Sequence, residues 1–210
     1  MKKIITIQHT QSVQHTNGMI GSWRDWPLTD LGRKQAGIIG KKLAEEIEED
    51  YVMYASDLLR TKETADIIAS HLNIKPIFIE ALREFDLGEA VGRSKEWARN
   101  NNETNVWPGT IDWGELIDDK PFKGCESRRE VWMRLSNFLD DIMSNPHENI
   151  IIVSHDGSLS LFFALWLGLD IEALNHCNLS GKKGGVSFLR EDVKGNRIID
   201  RLNDLSYLND

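Results

Sequence analysis

Two histidines stand where short β-branched runs give way to polar residues. The first follows Ile4-Ile5-Thr6-Ile7 within Gln8-His9-Thr10-Gln11-Ser12. The second follows Ile150-Ile151-Ile152-Val153 within Ser154-His155-Asp156-Gly157. Runs of this kind suit buried strands, and open α/β sheets bind ligands outside the carboxyl ends of their strands. The pattern predicts that His9 and His155 meet across one pocket, although they come from opposite ends of the chain. Two more residues fall just past predicted strands: Arg60, after Ser56-Asp57, and Glu84, after Leu82-Arg83. These types suit phosphoryl transfer without a metal. A histidine with an ordinary pKa of about 6.5 has a neutral, nucleophilic form near neutral pH. An arginine in a helix's first turn adds its charge to the backbone N–H groups there. His155 would hydrogen-bond the phosphoryl oxygens, and Glu84 would protonate the leaving oxygen.

Other chemistries find less support. His9 and His15 are six apart, with no i,i+4 pairing and no cysteine nearby to complete a metal site. No G-x-S-x-G elbow occurs. The run Ser154-His155-Asp156 is not a triad by adjacency, because triad members converge from separated positions.

The elements that must position these groups can be read in outline. Residues 10–28 form a polar, aromatic loop, after which Thr29 or Asp30 caps a helix with Ile39, Leu43 and Ile47 on one face. A strand is predicted over Tyr51–Ala55. Ser56-Asp57 would then cap a helix whose inner face is Leu58, Thr61, Ala65, Ile68 and Leu72, with Arg60 as a polar tip aimed at the pocket mouth. Pro76 opens a third strand through Ile77–Glu80. Residues 86–124 show no period and carry Trp97, Trp107 and Trp113, which reads as an irregular lid insertion. A helix striped by Val131, Leu135, Phe138, Leu139 and Ile142 follows, then the second histidine-bearing strand and an apolar helix, Leu159–Leu167. Val186–Arg190 and Arg197–Leu202 flank a Lys194-Gly195-Asn196 turn as a hairpin. Strands alternating with helices predict an α/β sandwich, here one domain over residues 1–210.

Composition narrows the partners. With 210 residues, a net charge of −8 and no basic block, the chain has no feature suited to nucleic acid. A phosphate site must then be a local positive pocket. Cys125 and Cys177 match no metal or redox spacing and read as reduced thiols. The apolar run after Met1-Lys2-Lys3 is too short for a signal sequence, and no stretch approaches the roughly 20 apolar residues that cross a bilayer. The expectation is a cytoplasmic protein without a membrane partner. An exposed sheet edge or the Trp-rich insertion would support a homodimer.

At the level of ordered blocks, the chain resembles the histidine phosphatase superfamily, in its phosphoglycerate mutase-like branch. Gln8-His9-Thr10-Gln11-Ser12 stands where that branch has R-H-G-x-S/T. The segment Gly21 to Ala36 resembles G-x-x-D-x-P-L-T-x-x-G-x-x-Q-A with one residue's difference. Ser56-Asp57-Leu58-Leu59-Arg60-Thr61-Lys62-Glu63-Thr64-Ala65 matches S-D-L-x-R-x-x-x-T-A at every specified position. Leu82-Arg83-Glu84 with Gly88 and Gly92, Glu126-Ser127 with Arg134, and Ser154-His155 resemble the remaining blocks. The resemblance implies a three-layer α/β/α sandwich around a mostly parallel sheet. It also implies a phosphohistidine on His9, phosphate binding by Arg60 and His155, proton donation by Glu84, and no metal or other cofactor. Gln8, Ser12 and Arg83 join Arg60 and His155 as candidate substrate-binding residues.

Three positions depart from the branch pattern: Gln8 replaces an arginine, and Thr10 and Asp156 each replace a glycine. A glutamine amide brings neither charge nor a bidentate fork. Losing a transition-state donor typically costs about 10²–10³ in rate. Arg24, Arg83 and Arg128 are the candidates for compensating charge. The expected activity is hydrolysis of a small phosphorylated metabolite. The alternatives are mutase-type phosphoryl transfer and a noncatalytic relative that binds a phosphorylated ligand or a protein partner.

Overall fold

The computed structural model describes residues 1–102 and 117–209. In chain order the strands are β1 Lys3–Gln8, β2 Val52–Ser56, β3 Pro76–Ile79, β4 Asn149–Ser154, β5 Val186–Glu191 and β6 Arg197–Asp204. The helices are α1 Asp30–Glu46, α2 Leu59–Leu72, α3 Lys95–Asn100, α4 Arg128–Ser144 and α5 Asp156–Trp166. The strands form one sheet in the order β3-β2-β4-β1-β5-β6. The four strands from β3 to β1 run parallel, and the β5–β6 hairpin adds on antiparallel to β1.

The apolar runs of β1 and β4 are continuous because both faces of the sheet are covered. Ile4, Ile150, Ile152 and Leu189 face α4 and α5, where Val131, Leu135, Phe138, Phe162 and Trp166 complete one core. Their alternates Ile5, Ile7, Ile151 and Val153 face α1 and α2, with Ile39, Leu43, Ala65 and Ile68. Two cores on opposite faces of one sheet make the expected three layers.

Helix starts follow local chemistry in part. Thr29 caps α1, its Oγ1 accepting from the Gly32 N–H at 3.0 Å. Ser127 and Glu130 form a reciprocal capping box at α4, with Glu130 N–H to Ser127 Oγ at 3.2 Å and Ser127 N–H to Glu130 Oε2 at 2.8 Å. Ser127→Ala is expected to lower stability by about 1 kcal/mol, read as a shift of the urea midpoint at constant slope. At α2 the expected Ser56-Asp57 cap is not formed. Leu58 occupies the cap position, and Asp25 reaches across from the preceding loop to accept from the Leu59 N–H at 2.9 Å. Tertiary neighbours take the two predicted capping side chains: Ser56 faces His155, and Asp57 pairs with Arg83.

Of the segment 86–124, residues 86–102 and 117–124 are described, and they carry order that the lack of a period does not predict. They include α3, capped by Ser94, and Ala90, Ala98, Phe122 and Cys125, which join Ile20 of the earlier loop in a small core on which Trp97 packs. Six helical residues are too few to display a period. Trp107 and Trp113 lie outside the described residues.

Candidate active site

Register brings the two histidines together. β1 and β4 pair Ile7 with Val153 and Gln8 with Ser154, so both strands end at the same level. The His9 N–H then donates to the Ser154 carbonyl at 2.9 Å. The His9 and His155 rings meet edge to face with centroids 5.1 Å apart. The strand ends bring the two histidines into contact, as their positions predict.

His9 is held in one tautomer. Its Nδ1 lies 2.8 Å from the Thr10 carbonyl, which can only accept, so Nδ1 carries the proton. Nε2 is left with its lone pair and accepts from Arg60 Nε at 3.1 Å. Burial, reinforced by the Arg60 charge, holds the His9 pKa well below its ordinary value and keeps the ring neutral.

Arg60 departs from expectation. It is fully buried rather than aimed at the mouth. Burying the guanidinium is tolerated because its nitrogens find acceptors: Nε on His9, Nη2 on the Ser22 carbonyl at 2.8 Å, and Nη1 on the Arg24 carbonyl at 3.3 Å. Burial lowers its pKa to about 10, and it stays charged at neutral pH. His155 Nε2 lies 2.9 Å from Ser56 Oγ and 3.5 Å from Thr61 Oγ1. Its Nδ1 is buried without a hydrogen-bond partner among the described residues. A phosphoryl oxygen would satisfy that nitrogen.

Glu84 is clamped by its backbone and exposed to the site by its side chain. Its carbonyl accepts from Trp23 Nε1 at 2.7 Å and Arg134 Nη2 at 3.0 Å. Its carboxylate accepts from the N–H groups of Phe85 at 3.0 Å and Gly157 at 3.3 Å. A Cβ at position 157 would stand 2.6 Å from Glu84 Oε1, which explains a glycine at this close approach. Burial first, and the Asp156 charge second, raise the Glu84 pKa, as a proton donor requires. Asp156 itself accepts from the Gly181 N–H and Ser180 Oγ, each at 2.7 Å. Asp156→Asn removes a like charge, so the Glu84 pKa falls. The high-pH limb of the kcat/KM profile is then expected to move to lower pH, and an unmoved limb would dissociate Asp156 from the acid.

Beside these groups lies a cavity of about 310 Å³, whose lining includes His15, Glu84, Lys95, Phe122, Arg128 and Leu174. His9, Arg60 and His155 are not in its lining. His15 connects the two, stacking on His9 with centroids 5.5 Å apart.

The sequence matches the profile of the histidine phosphatase superfamily (branch 1) over residues 4–204. The chain belongs to this superfamily. A putative phosphoserine phosphatase of Hydrogenobacter thermophilus is 28% identical over 174 residues, covering 83% of each chain. A probable phosphoglycerate mutase of Proteus mirabilis is 28% identical over 222 residues, covering 100% of this chain and 96% of its own. The crystal structure of an alpha-ribazole phosphatase from Shigella flexneri superposes with a TM-score of 0.80 at 22% identity, covering 96% of both chains. That likeness concerns the fold.

Within this histidine phosphatase the other expected residues are placed as follows. Ser12 donates its N–H to His15 Nδ1 at 2.9 Å, with its hydroxyl 3.1 Å from the same atom, so it positions His15. Arg83 is directed away from the histidines, in a bidentate pair with Asp57 at 2.7 and 2.6 Å and over the Trp23 ring. Gln8 is buried at the end of β1, its Oε1 3.2 Å from where a Gly181 Cβ would stand. Thr10 is accommodated without a positive φ, since its hydroxyl donates to the Gly32 carbonyl at 2.8 Å. The aromatic contact of His15 with His9 has no local signal in the sequence, where its spacing from His9 bears only on metal binding. Ser56 and Thr61 have one, because both sit inside the Ser56–Ala65 block that delivers Arg60.

Proposed function

We propose that this chain is a metal-independent phosphomonoesterase that works through a phosphohistidine on His9. The observation that carries the reading is the His9 imidazole, locked by Thr10 with Nε2 unprotonated and set against the Arg60 guanidinium. On binding, Arg60 Nε would pass its hydrogen bond from Nε2 to a phosphoryl oxygen, and His155 Nδ1 would donate to another. Nε2 attacks phosphorus, the P–O ester bond breaks, and Glu84 gives its proton to the leaving oxygen. Water then attacks phosphorus, its proton passes to the Glu84 carboxylate, and the P–N bond breaks to free phosphate and neutral His9. The neighbouring cavity of about 310 Å³ suits the alcohol portion of a small metabolite, its walls mixing Lys95, Arg128, Glu84 and Asp156 with apolar Phe122 and Leu174.

Phosphatases and mutases both occur among the relatives, so mutase-type transfer is the second reading. A panel of phosphomonoesters, assayed with excess chelator, separates them by product. Phosphatase action releases inorganic phosphate and leaves a free alcohol; a mutase returns the phosphoryl group to another hydroxyl. Protein quenched during turnover should carry a label that is stable in base and lost in acid, as a phosphoramidate is. An acid-stable label, or activity abolished by chelator, would refute the proposal.

A further inference from the structure

Arg60 serves the phosphoryl oxygens and Glu84 the leaving oxygen, yet α2 and the segment after β3 deliver them independently. Their relative placement must be held, since a misplacement of about 1 Å can cost roughly 10²-fold in rate. One residue bonds both sides. Ser22 lies buried in the loop between β1 and α1. Its carbonyl accepts from Arg60 Nη2 at 2.8 Å. Its hydroxyl donates to the Phe85 carbonyl at 2.6 Å and accepts from the Leu87 N–H at 2.9 Å. Phe85 gives its own N–H to Glu84 Oε1 at 3.0 Å. The residue after the acid is thus held on the acid at its amide and on Ser22 at its carbonyl. Trp23, the next residue of the loop, bonds the Glu84 carbonyl.

The backbone of Ser22 is strained, with φ at 45°. The other non-glycine residues with positive φ, among the described residues, are Asn73 and Asn203. Asparagine enters this region through local hydrogen bonds of its short amide, whereas serine has no comparable preference for it. A glycine would adopt the conformation without a steric penalty. Strain of this kind persists where surrounding contacts over-determine it, and it clusters at active sites. What a glycine would lack here is the hydroxyl and its two bonds. From the start of α4, Arg134 Nη2 also bonds the Glu84 carbonyl at 3.0 Å, and Glu126 Oε2 accepts from the Asp86 N–H at 2.8 Å. Those bonds fix the acid to α4; the Ser22 bonds fix it to Arg60.

We propose that Ser22 is a positioning residue for phosphoryl transfer, setting the acid Glu84 against the phosphoryl-binding Arg60 through its strained backbone and its hydroxyl. The assignment rests on the roles proposed above for those two residues. Removing the hydroxyl leaves the Phe85 carbonyl and the Leu87 N–H without this partner, so the segment carrying Glu84 shifts. The bond to Arg60 survives because it comes from the Ser22 backbone. The loss therefore falls on proton donation, which matters to a leaving group that needs a proton.

The test compares two esters of similar size. p-Nitrobenzyl phosphate expels an alkoxide that needs the proton, and p-nitrophenyl phosphate expels a stable phenolate that does not. kcat/KM is measured for both on wild type, Ser22→Ala, Ser22→Gly and Glu84→Gln, with melting curves beside them. Ser22→Ala keeps a Cβ at the strained position and Ser22→Gly relieves the strain, so the lost hydroxyl is what the two share. The benzyl-to-phenyl ratio of kcat/KM is expected to fall about 10- to 100-fold in both Ser22 variants. In Glu84→Gln it should fall about 10²–10⁴-fold. A fall in Glu84→Gln with an unchanged ratio in both Ser22 variants overturns the Ser22 assignment and leaves the acid in place. Equal losses on the two esters in the Ser22 variants do the same, because they mark a merely structural role. An unchanged ratio in Glu84→Gln overturns Glu84 as the acid, and the Ser22 assignment with it.

Discussion

His9→Ala is expected to lower kcat/KM by about 10⁴-fold or more, because it removes the atom that forms the covalent intermediate. The base-stable, acid-labile label on the protein should vanish with it. The substitution also leaves the Thr10 carbonyl and Arg60 Nε without their partner, so some loss of stability accompanies it. Circular dichroism at the assay temperature separates an inactive folded protein from an unfolded one. Turnover within about tenfold of wild type in the folded variant would end the phosphohistidine route.

Arg60→Lys is expected to cost about 10²–10³ in kcat/KM, although the charge is nominally kept. The guanidinium is engaged on three sides, by His9, Ser22 and Arg24. A single ammonium has no planar fork with which to reproduce that geometry. It would leave at least one buried carbonyl unpaired and would not hold a phosphoryl oxygen in line with Nε2. The measurement is kcat and KM for the best substrate of the panel, with a melting curve beside it. Wild-type kcat/KM in Arg60→Lys would show that the charge alone matters and that the fork does not.

Gln8 is the sharpest departure from the superfamily pattern, and the fold gives it a physical setting. Its backbone anchors the loop before β5 by bonds to Gly184 and Gly185, and its side chain faces Gly181. Asp156 likewise finds a use, bonding that loop and raising the pKa of Glu84. The departures at Gln8 and Asp156 therefore meet in one structural unit at the carboxyl end of β1.

Strand positions were legible because apolar runs such as Ile4–Ile7 and Ile150–Val153 encode burial along a single element. The same local information placed His9 and His155 at strand ends and Arg60 in a helix's first turn, and the ordered blocks pointed to the superfamily. Contacts between segments far apart in the chain carried no such signal. Asp25 capping α2, the burial of Arg60 against three acceptors, and Arg83 turning to Asp57 depend on which loops face one another. So do His15 against His9 and the loop before β5 against Gln8. The sequence by itself determined the layers, the histidine pair and the candidate acid. Tertiary structure alone decided the protonation of His9 and the partners of the charges. The physical reason is that periodicity reports whether a side chain is buried, whereas its pKa and hydrogen bonds are set by what it is buried against.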